Sequence, residues 1–167
     1  MEEATVRASR LPVKRTAAHI YFFGYEGPDP EVCFQQWYPS VFVDEDLAGS
    51  PSFPTSEHYM MYRKALLFGD EAIAEKILAA KPFDQSKWDG SCDGIVERGN
   101  YLKFSQNPKL KAVLLDTGDR FIIEASPSDR IWGIGFDAEH AAGNENEWGA
   151  NKFGEALMRV RSALAGI

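Results

Sequence analysis

No stretch of this chain approaches the roughly 18 consecutive apolar residues of a membrane-crossing helix. Its N-terminus also lacks the apolar block of a secretory leader. A soluble protein of the cytoplasm is expected, with the nucleus as the other compartment open to it. Cysteine is scarce: Cys33 and Cys92 are far apart, with no CxxC or Cys/His spacing. That excludes a disulfide framework and gives no sign of a zinc site. A basic block is missing too. Lys and Arg number 18 against 25 Asp and Glu, for a net charge of -7, which argues against a tight, sequence-independent hold on a phosphate backbone. If nucleic acid is a substrate, a single modified nucleotide must supply the grip.

What the chain does have is apolar material for one core. With 167 residues, 44% hydrophobic and 13% aromatic, one domain closes well and two would each be marginal. Met1–Ala17 is polar and carries Arg7, Arg10, Lys14 and Arg15, as a transit peptide would, but Glu2 and Glu3 depart from that acid-poor pattern. Residues 1–17 are therefore expected as a flexible tail and 18–167 as the domain. No internal repeat or low-complexity segment appears.

Periodicity and punctuation place the elements. "HIYFFG" and "VFVD" read as short strands, rich in β-branched and aromatic residues and closed by turn formers. Thr55 is set to cap a helix running to Phe68, with Glu57 in its first turn and Gly69 as its stop. Asp70 then caps "EAIAEKILAA", which ends before Pro82. A helix over Asp93–Ser105 follows, with Ile95, Arg98, Gly99 and Leu102 on one face, although each interior Gly costs about 1 kcal/mol relative to Ala. Asn107 and Pro108 open another helix that turns Leu110, Val113 and Leu114 inward and stops at Gly118. "RFIIEAS" reads as a strand, and "WGANKFGEALMRVRSAL" as an amphipathic helix with Phe153, Leu157, Val160 and Leu164 on one stripe. The sum is a helix-dominated α+β domain. Between the last strand and last helix, more than twenty residues lack a period, and loops that long in a compact domain are usually functional or mobile.

"EHYMMYRKALLF" is apolar or aromatic on every side of a helix, a pattern that predicts burial at the centre of the fold. Glu57 and Lys64 are seven residues apart, hence within about 20° on one face and about 10 Å apart along the axis. A buried carboxylate or ammonium costs several kcal/mol unless it is paired, neutralised or opened to a pocket. Either Glu57 serves the helix N-terminus while Lys64 extends to the surface, or the two form a cleft holding an acid and an amine. In "SPSDRIWGIG", Asp129 and Trp132 stand beside Gly133 and Gly135, which permit close backbone approach to a ligand; a tight turn with a structural tryptophan is the alternative. Trp148, in "WGANKFG", offers another flat ring for a base, or for the core.

Two tempting motifs fail. "GIGFDA" carries only two glycines of a dinucleotide fingerprint, with no helical period after it. "SEHYM" is not HExxH or its inverse, which leaves His58 as a packed or hydrogen-bonded histidine.

Read in order, "FQQWYPSVF", "FPTSEHYMMYRKALLF", "GNYLKFSQNPKLKAVLLDTGDRFIIEASPSDRIWGIG" and "WGANKFGEALMRVRSAL" resemble the NADAR or YbiA-like N-glycosidases over about residues 20–164. The resemblance implies a compact single domain with a few short strands and a pocket for a ribosyl nucleotide. It implies hydrolysis of an N-glycosidic bond, either in an early riboflavin-pathway intermediate or in guanine carrying an ADP-ribose adduct. The family's active-site positions correspond to Glu57, Lys64, Asp129 and Trp132, with Trp88 a weaker match. Gly133, Trp148 and Asn151 are taken as further substrate contacts. No cofactor, metal or membrane is implied, ADP-ribose would be the product, and a monomer is expected. One departure stands out. The "GR" pair and basic turn that family members often carry before the following tryptophan are shortened here to "ILAAKPFDQSKW", which puts any phosphate contact made there in doubt.

Cleavage at the anomeric carbon needs the developing cation stabilised and the base protonated. By one route, Lys64 attacks that carbon and opens the sugar as a Schiff base, with Glu57 moving protons. By the other, Glu57 or Asp129 activates a water and Lys64 only binds phosphate. The first route accounts for an amine on that face. A module holding ADP-ribose or NAD without turnover would have no use for both charges, and a purely structural domain would leave them unexplained. The chain shows no further riboflavin-pathway domain, so removal of ADP-ribose from guanine is the expected reaction.

Overall fold

The computed structural model describes residues 13–69 and 90–166. The helix expected over "EAIAEKILAA", the shortened segment after it and Trp88 lie outside the described residues.

A three-stranded sheet divides the domain. Its strands are β1 (Val13–Arg15), β2 (His19–Phe22) and β5 (Phe121–Glu124), in the order β1-β2-β5. The β1–β2 pair is antiparallel and β2–β5 is parallel, with Ile20 opposite Ile122 and Phe22 opposite Glu124. A small hairpin of β3 (Phe42–Val43) and β4 (Ser52–Phe53) pairs Phe42 with Phe53. Among the described residues there are four α-helices: α1 (Ser56–Leu67), α2 (Cys92–Gln106), α3 (Pro108–Asp116) and α4 (Lys152–Ala165). None is long and apolar enough to cross a membrane. The α+β class and the helical excess are as expected.

The β1 strand occupies residues expected in the N-terminal tail. Besides its ladder to β2, Arg15 ion-pairs with Glu31 and with Asp29 at 2.9 Å, which ties this edge to the 3-10 turn at Pro30–Phe34.

Alternation along β2 explains the layering, because successive side chains point to opposite faces. Ile20 and Phe22 join Phe34, Val96, Phe104, Leu114, Phe153, Leu157 and Val160 in the main core under the helices. Tyr21 faces the other way and meets Ile123, Ile134 and Ala141. The long aperiodic segment after β5 supplies Ile134, Ala141 and Trp148, so much of it covers the second face of the sheet. Its lack of a period is the signature of that covering role.

The α1 helix is not the buried centre its all-round apolarity predicts. Met61, Tyr62 and Leu66 are 44, 39 and 41% exposed, and only Ser56 and Tyr59 are buried. Among the described residues, α1 packs against α2 and the edge of β4. There Tyr59 fills the space at Gly99, where an added Cβ would come within 2.7 Å of its ring. The Tyr59 hydroxyl donates to the fully buried Asp44 at 2.9 Å, and Arg98 donates to the same carboxylate at 3.0 Å. Burial opposes the charge on Asp44, but the bonds from Arg98 and Tyr59 outweigh it and hold the carboxyl below its usual range.

Candidate active site

At the head of α1, Thr55 adopts the extended N-cap conformation and its hydroxyl accepts from the His58 N–H. The His58 ring also bonds Thr55 Oγ1 at 2.7 Å, so His58 is the hydrogen-bonded histidine expected. This cap directs Glu57 toward the chain that follows the 3-10 turn, and its N–H donates to the Gln36 carbonyl at 3.1 Å. Glu57 is half-buried. Desolvation pushes its carboxyl up, while His58 and Lys64 pull it back. Glu57 and Lys64 are therefore within electrostatic reach of each other, as their spacing on the helix requires. Lys64 itself is half-buried.

A second group of residues gathers at the C-terminal end of β5. Glu124 is the last residue of that strand. Burial, reinforced by the nearby Asp129 charge and opposed by Gln35, raises its carboxyl to about 7. Asp129 Oδ1 accepts from the N–H groups of Ile131 and Trp132 at 2.8 and 2.9 Å, closing the turn that carries Trp132. The Trp132 ring is half-buried against the main core, with the Lys152 ammonium 6.0 Å from its centre. Lys152 is held in turn by Asp93 at 3.1 Å.

The two groups meet at Gln35 and Gln36. The Gln36 side chain accepts from Asn100 at 3.2 Å, and the Gln35 carbonyl accepts from Lys103 at 2.8 Å. Lys103 is completely buried, against the rings of Tyr38 and Phe104. Desolvation pushes its ammonium down to about 7, with Cys33 pulling slightly back. Buried polar atoms without a partner are uncommon in folded proteins. Among the described residues the side chains that carry one are Gln35, Ser56, Asn100 and Glu124. Each belongs to the Gln35–Gln36 turn, touches it, or neighbours Glu57, which bonds to it. That clustering makes the Gln35–Gln36 turn the part of the described structure with the most polar groups left to satisfy.

Other residues expected at the site are placed differently. Gly133 lies against the end of β5, where an added Cβ would come within 2.9 Å of the Glu124 carbonyl. Its bareness is used for packing of loop on strand. Asn151 has a left-handed backbone, φ 48°, and its buried side chain bonds to the backbone of β5. Trp148 donates its indole N–H to the Ala141 carbonyl at 3.0 Å and meets Tyr21 edge-on, on the sheet face away from the helices. Trp148 thus lies on the far side of the sheet from the helices, while Gly133 and Asn151 pack at the edge of β5. A shallow depression lined by Ala17, Ala18 and Asp116–Phe121 sits at the opposite, N-terminal ends of β2 and β5 and contains none of these residues.

Glu124, Gln35, Gln36, Asn100 and Lys103 did not stand out in the sequence, though signals existed. Glu124 ends a strand, "FIIE", whose apolar neighbours point to burial on both faces. Asn100 and Lys103 fall on the same helix face as Val96 and Phe104, where a polar residue needs a reason. Among the described residues, no group of three His, Cys, Asp or Glu could hold a metal ion.

Residues 21–165 match the model of the NADAR domain. An N-glycosidase of Acanthamoeba polyphaga mimivirus is 41% identical over 87% of this chain and 96% of its own length. A riboflavin biosynthesis protein of Vibrio vulnificus is 31% identical over 87% of this chain, which spans 38% of that larger protein. The NMR structure of Escherichia coli YbiA superposes with a TM-score of 0.66 at 25% identity, covering 96% of this chain and 92% of the other.

Proposed function

The chain belongs to the NADAR domain family and is a glycosidase of N-glycosyl compounds, and from that premise we propose that it removes ADP-ribose from ADP-ribosylated guanine, as a nucleotide or within nucleic acid. The observation that carries the mechanism is the acid and amine on one face of α1, with the Glu57 carboxyl raised by burial and in electrostatic contact with Lys64. Lys64 attacks the anomeric carbon, and Glu57 moves the proton from the attacking nitrogen to the ring oxygen as the sugar opens to a Schiff base. Water then releases the sugar. Trp132, braced by Asp129 and flanked by Lys152, offers its ring to a base or adenine. Such a substrate places the work in the cytoplasm or the nucleus.

The mimivirus relative named an N-glycosidase is matched along nearly its whole length, whereas the match to the riboflavin-named relative covers a smaller part of it. The test is to offer ADP-ribosylated guanosine and an early riboflavin-pathway ribosyl intermediate side by side and measure base release. Guanosine freed from the first substrate, with Glu57→Gln inactive, is the expected result. Turnover of the riboflavin intermediate alone would overturn the substrate assignment.

A further inference from the structure

We propose that Glu124, supported by Gln35, is a further catalytic residue: it gives a proton to the nitrogen of the departing base, while the Gln35 amide donates a hydrogen bond to an acceptor beside that nitrogen. The inference rests on the N-glycosidase reading and adds the leaving-group half of the chemistry. Gln35 is 8% exposed, and its buried amide lies beside the Glu124 carboxyl closely enough to lower it against burial, yet neither Gln35 Nε2 nor Glu124 Oε2 closes a hydrogen bond of ordinary geometry. Glu124 keeps partial access to solvent. Leaving such atoms poorly matched is costly, and a bound heterocycle removes that cost if it presents two neighbouring polar atoms.

The surroundings favour a proton on Glu124. Among the described residues the charge acting on it is the Asp129 carboxylate, which together with burial raises the carboxyl to about 7. Of the charged groups on the packed elements, Lys103 is bonded to the Gln35 carbonyl, Lys152 is paired with Asp93, and Glu57 faces Lys64. Trp132 follows Asp129 on the same turn and offers the flat surface that a heterocycle needs.

The step balances. As the bond between the anomeric carbon and the base nitrogen breaks, its electron pair remains on nitrogen and takes up the Glu124 proton, leaving a carboxylate. Lys64 has meanwhile bonded to the anomeric carbon. Hydrolysis of the Schiff base consumes one water, frees the sugar and the amine, and releases the proton that restores Glu124.

The test measures guanosine release from ADP-ribosylated guanosine between pH 5 and 9, with wild type, Glu124→Gln and Glu124→Asp. The ratio of the wild-type rate to the Glu124→Gln rate should fall as pH rises through about 7, because only the wild type has an acid form to lose, while both proteins share the response of the Lys64 amine. At pH 5 Glu124→Gln should be at least about 100-fold slower, the lower end of a general acid's contribution. Glu124→Asp, which keeps a carboxyl, should recover part of the rate at pH 5 and show the same falling ratio to Glu124→Gln. If Glu124→Gln remains within tenfold of wild type at pH 5, or the ratio stays constant with pH, the assignment of Glu124 is overturned and the glycosidase reading stands. A wild-type protein that releases no guanosine overturns the substrate assignment and this inference with it.

Discussion

Asn151 is joined to the strand that ends in Glu124 by two hydrogen bonds from one amide: its Oδ1 accepts from the Glu124 N–H, and its Nδ2 donates to the Ile122 carbonyl, both at 3.0 Å. On its inner side β5 pairs with β2, and on this outer side the side chain of Asn151 stands in for a missing strand. The Ile134 N–H continues the line by donating to the Glu124 carbonyl at 3.0 Å. The open edge of a sheet exposes unpaired backbone groups. Here the residue that closes the edge also fixes the backbone of the proposed acid.

Asn151→Ala should therefore act on the fold. It strands a buried donor and a buried acceptor and puts alanine where φ is 48°, so a loss of about 2–4 kcal/mol is expected. Urea denaturation measures it. An unchanged midpoint accompanied by weaker substrate binding would instead return Asn151 to the ligand-contact role expected from the sequence.

How much of this was legible beforehand depends on the kind of interaction. The Thr55 cap, the Gly69 stop, the Asn107–Pro108 boundary and the inward stripe of α4 follow from local rules, and each falls where expected. The Glu57–Lys64 face follows from helix geometry alone. The exposure of α1 was not legible, since apolarity on all sides says nothing about how many partners a helix has. Nor was the Gln35–Asn100–Glu124 cluster, because it joins three elements through contacts more than sixty residues apart in sequence. Asn151 and Gly133 stand beside aromatics and glycines in the sequence, which is the position of ligand contacts and equally of residues that lock a loop onto a strand.

Glu124 should also mark the pH dependence of stability. Its carboxyl is raised from 4.5 to about 7, so the folded state holds this proton more tightly than the unfolded chain. The group's contribution is fully present below about pH 4.5 and is lost as pH rises through about 7. The shift corresponds to about 3 kcal/mol at most. Glu124→Gln should accordingly gain stability relative to wild type as pH rises from 5 to 8, seen as a widening difference in Tm. A constant difference across that range would show that Glu124 is already ionised at pH 5.

Lys103 gives the opposite slope. Its ammonium is pushed down to about 7, so between about pH 7 and 10 the unfolded chain binds the proton that the folded state has released. Stability from this group rises with pH over that window. Lys103→Met lacks the effect and leaves the Gln35 carbonyl without its donor. Relative to wild type, the variant should fare worse at pH 10 than at pH 7 in matched urea titrations. Parallel pH curves for the two proteins would contradict a neutral buried amine.

The covalent role of Lys64 is the sharpest claim about the chemistry. If its amine forms a Schiff base with the opened ribose, borohydride added during turnover reduces the imine to a stable secondary amine. Mass spectrometry should then find the sugar on the peptide containing Lys64. Lys64→Arg preserves positive charge, but a guanidinium stays protonated and is no nucleophile, so that variant should lose both turnover and adduct. Lys64→Arg keeps the charge on a half-buried side chain, so Tm should move by the equivalent of less than about 0.5 kcal/mol. An active Lys64→Arg protein with no trappable adduct would sink the covalent route. The attack would then pass to a water activated by Glu57 or Asp129, and Lys64 would be left as an electrostatic contact beside the substrate.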